Sequence, residues 1–396
     1  MRFNTMKVAD LISEISMGPF GSNIKVECFV DTGIPVLNGS NLDGFVLKED
    51  SFRYVTEEKA DSLGRANAHR GDVVITHRGT LGQIVFIPED SKYDRYVISQ
   101  SQFRVRCNET IMPEYLVYYF HTRLGQHKLL SNASQVGVPA LARASTTFQK
   151  IEIEVPDIET QHRIVDILET IRKKIKVNDE INENLEQQAF SLFHSFMLAP
   201  HQDEIMLSNI ADINPRRTLS KGTMARCIDM AQLPTVGSFP NGWEMKPYNG
   251  GMRFRNGDTL LARITPCLEN GKAAFIDFLK EDEVAFGSTE YIVLSSKGLY
   301  APEYFYCLAR YPEFIDFAVK NMNGSSGRQR VSADTVGNFS LPALTEEEIR
   351  RFGEIVPQLF IMIRENSLEN IQLSSIRDAL LPQLMSGELD VSSLDL

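Results

Sequence analysis

The ladder Ile164, Leu168, Ile171, Ile175, Asn178, Asn182, Leu185, Ala189, Leu192 and Phe196 steps by alternating fours and threes, with two asparagines at its centre. At an offset of 188 residues the same steps return as Phe352, Val356, Leu359, Ile363, Asn366, Asn370, Leu373, Arg377, Leu380 and Leu384. A four-three spacing of apolar residues is the seam of a coiled-coil helix and is common to all of them. Paired asparagines in the same register are not, so the spacing predicts a duplicated chain: globular unit, long helix, globular unit, long helix. By the heptad, Asn178 and Asn366 fall at d, and Asn182 and Asn370 at a. Antiparallel pairing about residues 180 and 368 sets Asn178 opposite Asn370, Asn182 opposite Asn366, and Ile164 near Leu384. Parallel pairing also matches amide with amide; the shared centre of the two ladders favours antiparallel. Buried Asn fixes register at some cost in stability.

Other landmarks recur at nearly the same offset, as an old duplication with small insertions leaves them. Gly71-Asp72-Val73-Val74 answers to Gly257-Asp258-Thr259-Leu260, each opening a strand that returns through a Gly-containing turn, Val73–Thr76 to Gln83–Ile87 and Thr259–Arg263 to Lys272–Ile276. Pro113-Glu114-Tyr115 and Pro302-Glu303-Tyr304 each open an aromatic-rich helix, with proline in the permissive first turn. Pro156 and Pro342 precede the long helices, which begin at Asp157 or Thr160 and at the capping-box pattern Thr345-Glu346-Glu347-Glu348. Pro357 falls inside the second helical pattern and either kinks that helix or marks the start of a separate one. The domains expected are 1–155, a helix over 156–199, 200–342, and a helix with tail over 343–396, in an α+β fold.

The net charge of −11 is unevenly spread. Residues 1–155 carry 17 Lys+Arg against 18 Asp+Glu and residues 200–342 carry 15 against 16, so both globular units are nearly neutral. The helical segments 156–199 and 343–396 carry 5 against 8 and 4 against 10. Phosphate repels acidic helices, so any DNA contact is expected through the globular units, with the helices facing each other or protein partners. Five scattered cysteines without a Cys-x-x-Cys pair suit reduced thiols, and neither they nor the seven histidines have metal-ligand spacing. No apolar run of membrane-spanning length or secretory signal is visible, which implies a soluble cytoplasmic protein. There is no phosphate-binding Gly-x-x-x-x-Gly-Lys-Ser/Thr loop and no strand-linked Gly-x-Gly-x-x-Gly. Asn214-Pro215-Arg216-Arg217 lacks the second proline and aromatic of an adenine-methyltransferase signature, and reads as a loop with two phosphate-reaching arginines.

Two polar loops occupy the same place in both repeats, 131–137 and 321–330. Glycines let backbone N–H groups approach phosphate, and arginines supply charge or bidentate base contacts. The DNA-facing residues expected are Asn38, Ser40, Asn41, His77, Arg78, Gln135 and Arg143 in the first unit, and Arg216, Arg217, Arg263, Ser325, Arg328 and Arg330 in the second.

Three stretches carry a resemblance: Gly18-Pro19-Phe20-Gly21-Ser22, Ala262 through Lys272 (ARITPCLENGK), and Leu380 through Leu389 (LLPQLMSGEL). With the duplication, they resemble the DNA specificity subunit of type I restriction-modification systems. The resemblance implies a non-catalytic reader of a bipartite double-stranded target, one unit per half-site. It implies helices that act as a ruler and dock two methyltransferase subunits. S-adenosylmethionine, and ATP and Mg with added restriction subunits, would belong to those partners, with no cofactor on this chain. An unrecognised DNA-modifying enzyme and a protein scaffold are the alternatives.

Overall fold

The computed structural model describes residues 2–19, 23–134, 137–325 and 327–392. Contacts divide the chain into two compact units, one of residues up to 172 with those from 375 onward, the other of residues 173–374.

The centre of the first unit is an antiparallel sheet in the order Ile12–Met17, Gln102–Cys107, Asp72–Thr76, Ile84–Phe86. Side chains alternate across a strand. Val73, Ile75, Phe86, Phe103 and Val105 point to one core, shared with Tyr115, Tyr118 and Phe120 of the aromatic helix Pro113–His121. Val74, Val85 and Ile87 point to the other, shared with Leu37, Ala68 and Tyr96. A second, five-stranded sheet, Phe29–Val30, Arg53–Val55, Ile34–Val36, Arg95–Val97, Asn67–His69, covers that side. Each large apolar side chain so buried contributes roughly 1.5–3 kcal/mol.

The second unit repeats the plan with the order Ala211–Ile213, Tyr291–Ser296, Asp258–Ala262, Ala273–Phe275. Leu261, Phe275, Ile292 and Leu294 face the aromatic helix Glu303–Ala309 together with Phe193, Phe352, Val356 and Phe360 of the long helices. Leu260, Ala262, Ala274 and Val293 face Ile228, Phe254 and Ala285 of a four-stranded second sheet.

The recurring Gly-Asp has a structural cause. Asp72 and Asp258 are fully buried. Each accepts a backbone N–H from three residues upstream, His69 at 2.9 Å and Arg255 at 2.8 Å. Each then neutralises arginine: Arg104 at 3.3 Å and Arg106 at 2.8 Å on Asp72, Arg217 at 3.0 Å on Asp258. Burying charge requires such pairing.

The long helices span Ile158–Met197 and Glu346–Ser386. Asp157 caps the first by accepting from Thr160 N at 2.8 Å. Thr345 and Glu348 close the capping box on the second: Thr345 N donates to Glu348 Oε2 at 2.8 Å, and Glu348 N donates to Thr345 Oγ1 at 3.3 Å. Pro357 lies inside this one helix, so no separate helix starts there.

Within the second unit the helices pair antiparallel. Asn178 Nδ2 donates to Asn370 Oδ1 at 2.8 Å and Asn366 Nδ2 donates to Asn182 Oδ1 at 2.9 Å. The spare amide protons of Asn178, Asn182 and Asn370 reach Glu369, Ser367 and Asp179. Leu185, Phe352 and Ile363 are buried, while Ile175, Leu359 and Leu373 are half-buried. Phe360 takes the buried place expected of its neighbour Leu359, because its ring packs edge-on against Phe275 and Tyr306.

In the first unit Ile164, Leu168 and Leu384 join one core, and Ile171 is half-buried. Arg377, the polar member of the ladder, lies 5.1 Å from the Phe45 ring, where a cation is attracted to the π face. The C-terminal segment belongs to this unit too: Val391 is buried, and Arg163 donates to Ser392 O at 2.6 Å.

Candidate nucleic-acid interface

In both units the chain at the end of the polar loop or just after it is hydrogen-bonded to the turn that follows the buried Gly-Asp strand, through the same backbone ladder. In the first, His77 N donates to Ser101 O at 2.8 Å, Leu141 N to His77 O at 2.8 Å, and Gly79 N to Pro139 O at 2.9 Å. In the second, Arg263 N donates to Glu290 O at 3.0 Å, Val331 N to Arg263 O at 3.0 Å, and Thr265 N to Gln329 O at 3.1 Å. An isolated β-bridge sits in the middle of each, Arg78 with Ala140 and Ile264 with Arg330. A loop tied to a rigid, buried strand presents its side chains in a fixed frame, which is what base reading requires.

The first junction brings together His77, Arg78 and Arg143. His77 donates Nε2–H to Gln100 O at 3.2 Å, which leaves Nδ1 as an acceptor. Burial holds its pKa below the ordinary histidine value, against smaller opposing hydrogen bonds, so the ring is neutral at pH 7. Arg78 and Arg143 are exposed, with no side-chain partner among the described residues. Gln135 lies outside the described residues.

Asn38, Ser40 and Asn41 form a turn instead of a reading surface. Asn41 is fully buried, accepts from Asn38 N at 2.9 Å and donates to Lys48 O and Asp50 O. Asn38 accepts from Ser40 N at 2.8 Å and from Ser40 Oγ. This is a side-chain capping box. The amide of Asn41 is spent inside the protein, so Asn41 cannot reach a base, whereas Ser40 is exposed.

At the second junction Arg328 and Ser325 are exposed, and Ser325 O accepts from Arg328 N at 3.0 Å. Gly324, at φ 131°, is required here: a Cβ would meet the Arg328 carbonyl oxygen at 3.0 Å. Arg330, expected to be free, is held bidentately by Glu290 at 2.7–3.0 Å and donates Nη1 to Arg328 O at 3.0 Å. Its charge in turn keeps the Glu290 carboxyl below the ordinary value. Arg330 therefore braces the loop. Arg217 is also withdrawn, bonded to Asp258 and to Ser295 Oγ at 3.1 Å, because the buried Asp258 needs its charge. Among the described residues Arg216 is exposed and without a side-chain partner, and Arg263 makes no side-chain hydrogen bond, its Nε being buried. Among the described residues there is no group of metal-ligating side chains, and no helix is long and apolar enough to cross a membrane.

Residues 24–187 match the family model of the type I restriction modification DNA specificity domain. The chain is 22% identical over 405 residues to the HindI type I restriction enzyme specificity subunit of Haemophilus influenzae, covering 81% of this chain and 87% of that one. The chain is thus similar to type I restriction enzyme specificity subunits. The MjaIX specificity subunit of Methanocaldococcus jannaschii is 22% identical over 428 residues, covering 99% of this chain and 94% of that one. In fold, the chain is similar to the crystal structure of the type I restriction-modification S subunit from M. genitalium, with a TM-score of 0.60 at 14% identity over 97% of this chain and 96% of that one.

The stretch Ala262–Lys272, one of the three that carry the resemblance, is the turn that builds the second ladder. It closes on itself through Leu268 N to Ile264 O at 3.0 Å and Lys272 N to Cys267 O at 3.0 Å. Sequence reading missed Glu290, the residue that holds Arg330. Nothing local marks it, since the two are paired only by the fold.

Proposed function

We propose that this specificity subunit reads double-stranded DNA as two half-sites, one per unit, through the two junctions just described, and does so without catalytic groups of its own. The observation that carries this reading is the repeated backbone ladder. It holds a different set of side chains in the same frame in each unit: His77 and Arg78 in one, Arg263, Ser325 and Arg328 in the other. Equivalent frames with unlike side chains suit two half-sites of unlike sequence.

The long acidic helices are proposed to dock two methyltransferase subunits and to set the spacer between half-sites, with S-adenosylmethionine on those subunits, and ATP and Mg on restriction subunits where these join. A complex that acts on cellular DNA would reside in the cytoplasm. The test is methylome mapping in cells with and without this chain. A methylated bipartite motif that vanishes with the gene supports the reading, and an unchanged methylome refutes it. Lengthening both helices in step should widen the unread spacer and leave both half-sites unchanged.

A further inference from the structure

Beside the first junction lies a cavity of about 590 Å³, walled by Lys128, Ser131, Asn132, Arg143, Thr147 and Lys150 among others. We propose that it is a cradle for the phosphodiester backbone of DNA, particular to the first unit; the proposal rests on the reading of function given above and adds a second contact to it. Its wall includes Ser131 and Asn132 at the start of the polar loop, tied to the short helix beyond through Ala142 N to Asn132 O at 3.3 Å and Thr147 Oγ1 to Ala142 O at 2.9 Å. Three cations face one carboxylate, Glu152, in a unit that is otherwise nearly neutral.

None of the three is ion-paired among the described residues. Lys128 is fixed by neutral acceptors, Tyr119 Oη at 2.9 Å and Glu152 O at 2.7 Å, so its charge is placed but not cancelled. Arg143 stands at φ 48°, ψ 51°, a left-handed conformation that an arginine adopts at a cost. Such strain persists where the surroundings impose it and concentrates at functional positions.

The duplication supplies the control. The helix Arg123–Leu130 that carries Lys128 corresponds to Pro312–Lys320, where Phe317 holds the same place. Arg143 and Lys150 flank the short helix Ala144–Gln149 as Ser332 and Asn338 flank Ala333–Gly337. The second unit builds the same elements with neutral residues at all three places, so the fold does not need the charges. A polyanion in register with the first junction accounts for them.

The variant is Arg143→Gly with Lys150→Gln in the full chain. Glycine suits the left-handed backbone, so lost affinity cannot be laid to added strain. Each phosphate contact contributes about 0.9 to the slope of log K against log salt. The slope should therefore become shallower by about 1.8, with target and non-target DNA weakened by the same factor and the methylated sequence unchanged. A full wild-type slope in the variant, or weakening confined to one sequence, overturns the cradle. If the wild-type chain shows no salt-dependent DNA affinity, the reading of function fails instead, which keeps the two failures apart.

Discussion

Replacing both Asn178 and Asn370 by leucine should stabilise the second unit, whereas replacing Asn370 alone should destabilise it. Asn178 is fully buried, and its Oδ1 has no hydrogen-bond partner. Its Nδ2 donates to Asn370 at 2.8 Å and Glu369 at 2.7 Å. With Asn370→Leu, Asn178 keeps Glu369 but loses the Asn370 amide opposite it, and a buried polar group so deprived costs about 1–3 kcal/mol. The double replacement removes the unsatisfied oxygen and buries two leucine side chains, each worth roughly 1.5–3 kcal/mol when fully buried. Asn370 is only half-buried, and three interhelical hydrogen bonds of about 1 kcal/mol each are lost, so the net gain is about 1–2 kcal/mol. For a unit of this size that is a rise of roughly 2–8 °C in Tm.

Calorimetry of the full chain should show the second unit's transition move up in the double variant and down in the single one. Register should survive, because the layer of Asn182 and Asn366 remains. Replacing all four asparagines should keep stability and loosen register, read as loss of disulfide trapping between cysteines placed at 175 and 373. If the double variant is destabilised as much as the single one, the amide pair is a net source of stability and the registry account is wrong.

Asp258→Asn should lower the second unit's Tm by roughly 10 °C, since breaking the ion pair of buried Asp258 and leaving the mostly covered Arg217 unmatched costs about 3–5 kcal/mol; Asp258→Leu combined with Arg217→Leu should recover most of it, and a mild effect of Asp258→Asn in thermal melts counts against the network. Glu290→Gln releases Arg330 and with it the Arg328 carbonyl, so methylome mapping should show relaxed bases in one half-site only, with a Glu290→Arg, Arg330→Glu exchange restoring them; relaxation in both halves rejects the brace. Burial pushes the Asp277 carboxyl up to about 7, with Arg364 opposing and Glu303 assisting. The folded state then binds this proton more tightly than the unfolded state, so the carboxyl's contribution favours folding at low pH and is lost between about pH 4 and 7. Urea melts of Asp277→Asn should lose that part of the pH dependence, and an unchanged profile refutes the assignment.

What the sequence could show, and what it could not, follows from the range of each interaction. The helix seam was legible because register is periodic: the positions of Asn178, Asn182, Asn366 and Asn370 in the heptad dictate which amides meet once antiparallel pairing is chosen, and they do meet. The Gly-Asp strands were legible as landmarks, but the reason for the aspartate was not, because its arginine comes from different places, from Gln102–Cys107 in the first unit and from the loop after Ala211–Ile213 in the second. The same gap explains the errors among candidate DNA contacts. An arginine in a polar loop reads as free until the fold shows whether an acid stands opposite it. Glu290 stands opposite Arg330, whereas the corresponding ladder position in the first unit is Ser101. Arg330 is therefore consumed and Arg328 is left outward. Asn38 and Asn41 carried a local signal, the asparagine pair three residues apart, whose side chains close a turn on themselves before any tertiary partner is needed. Polar residue type alone thus overcounts available groups; the side chains left to face outward are those whose hydrogen-bonding groups neither a local turn nor a buried charge has already claimed.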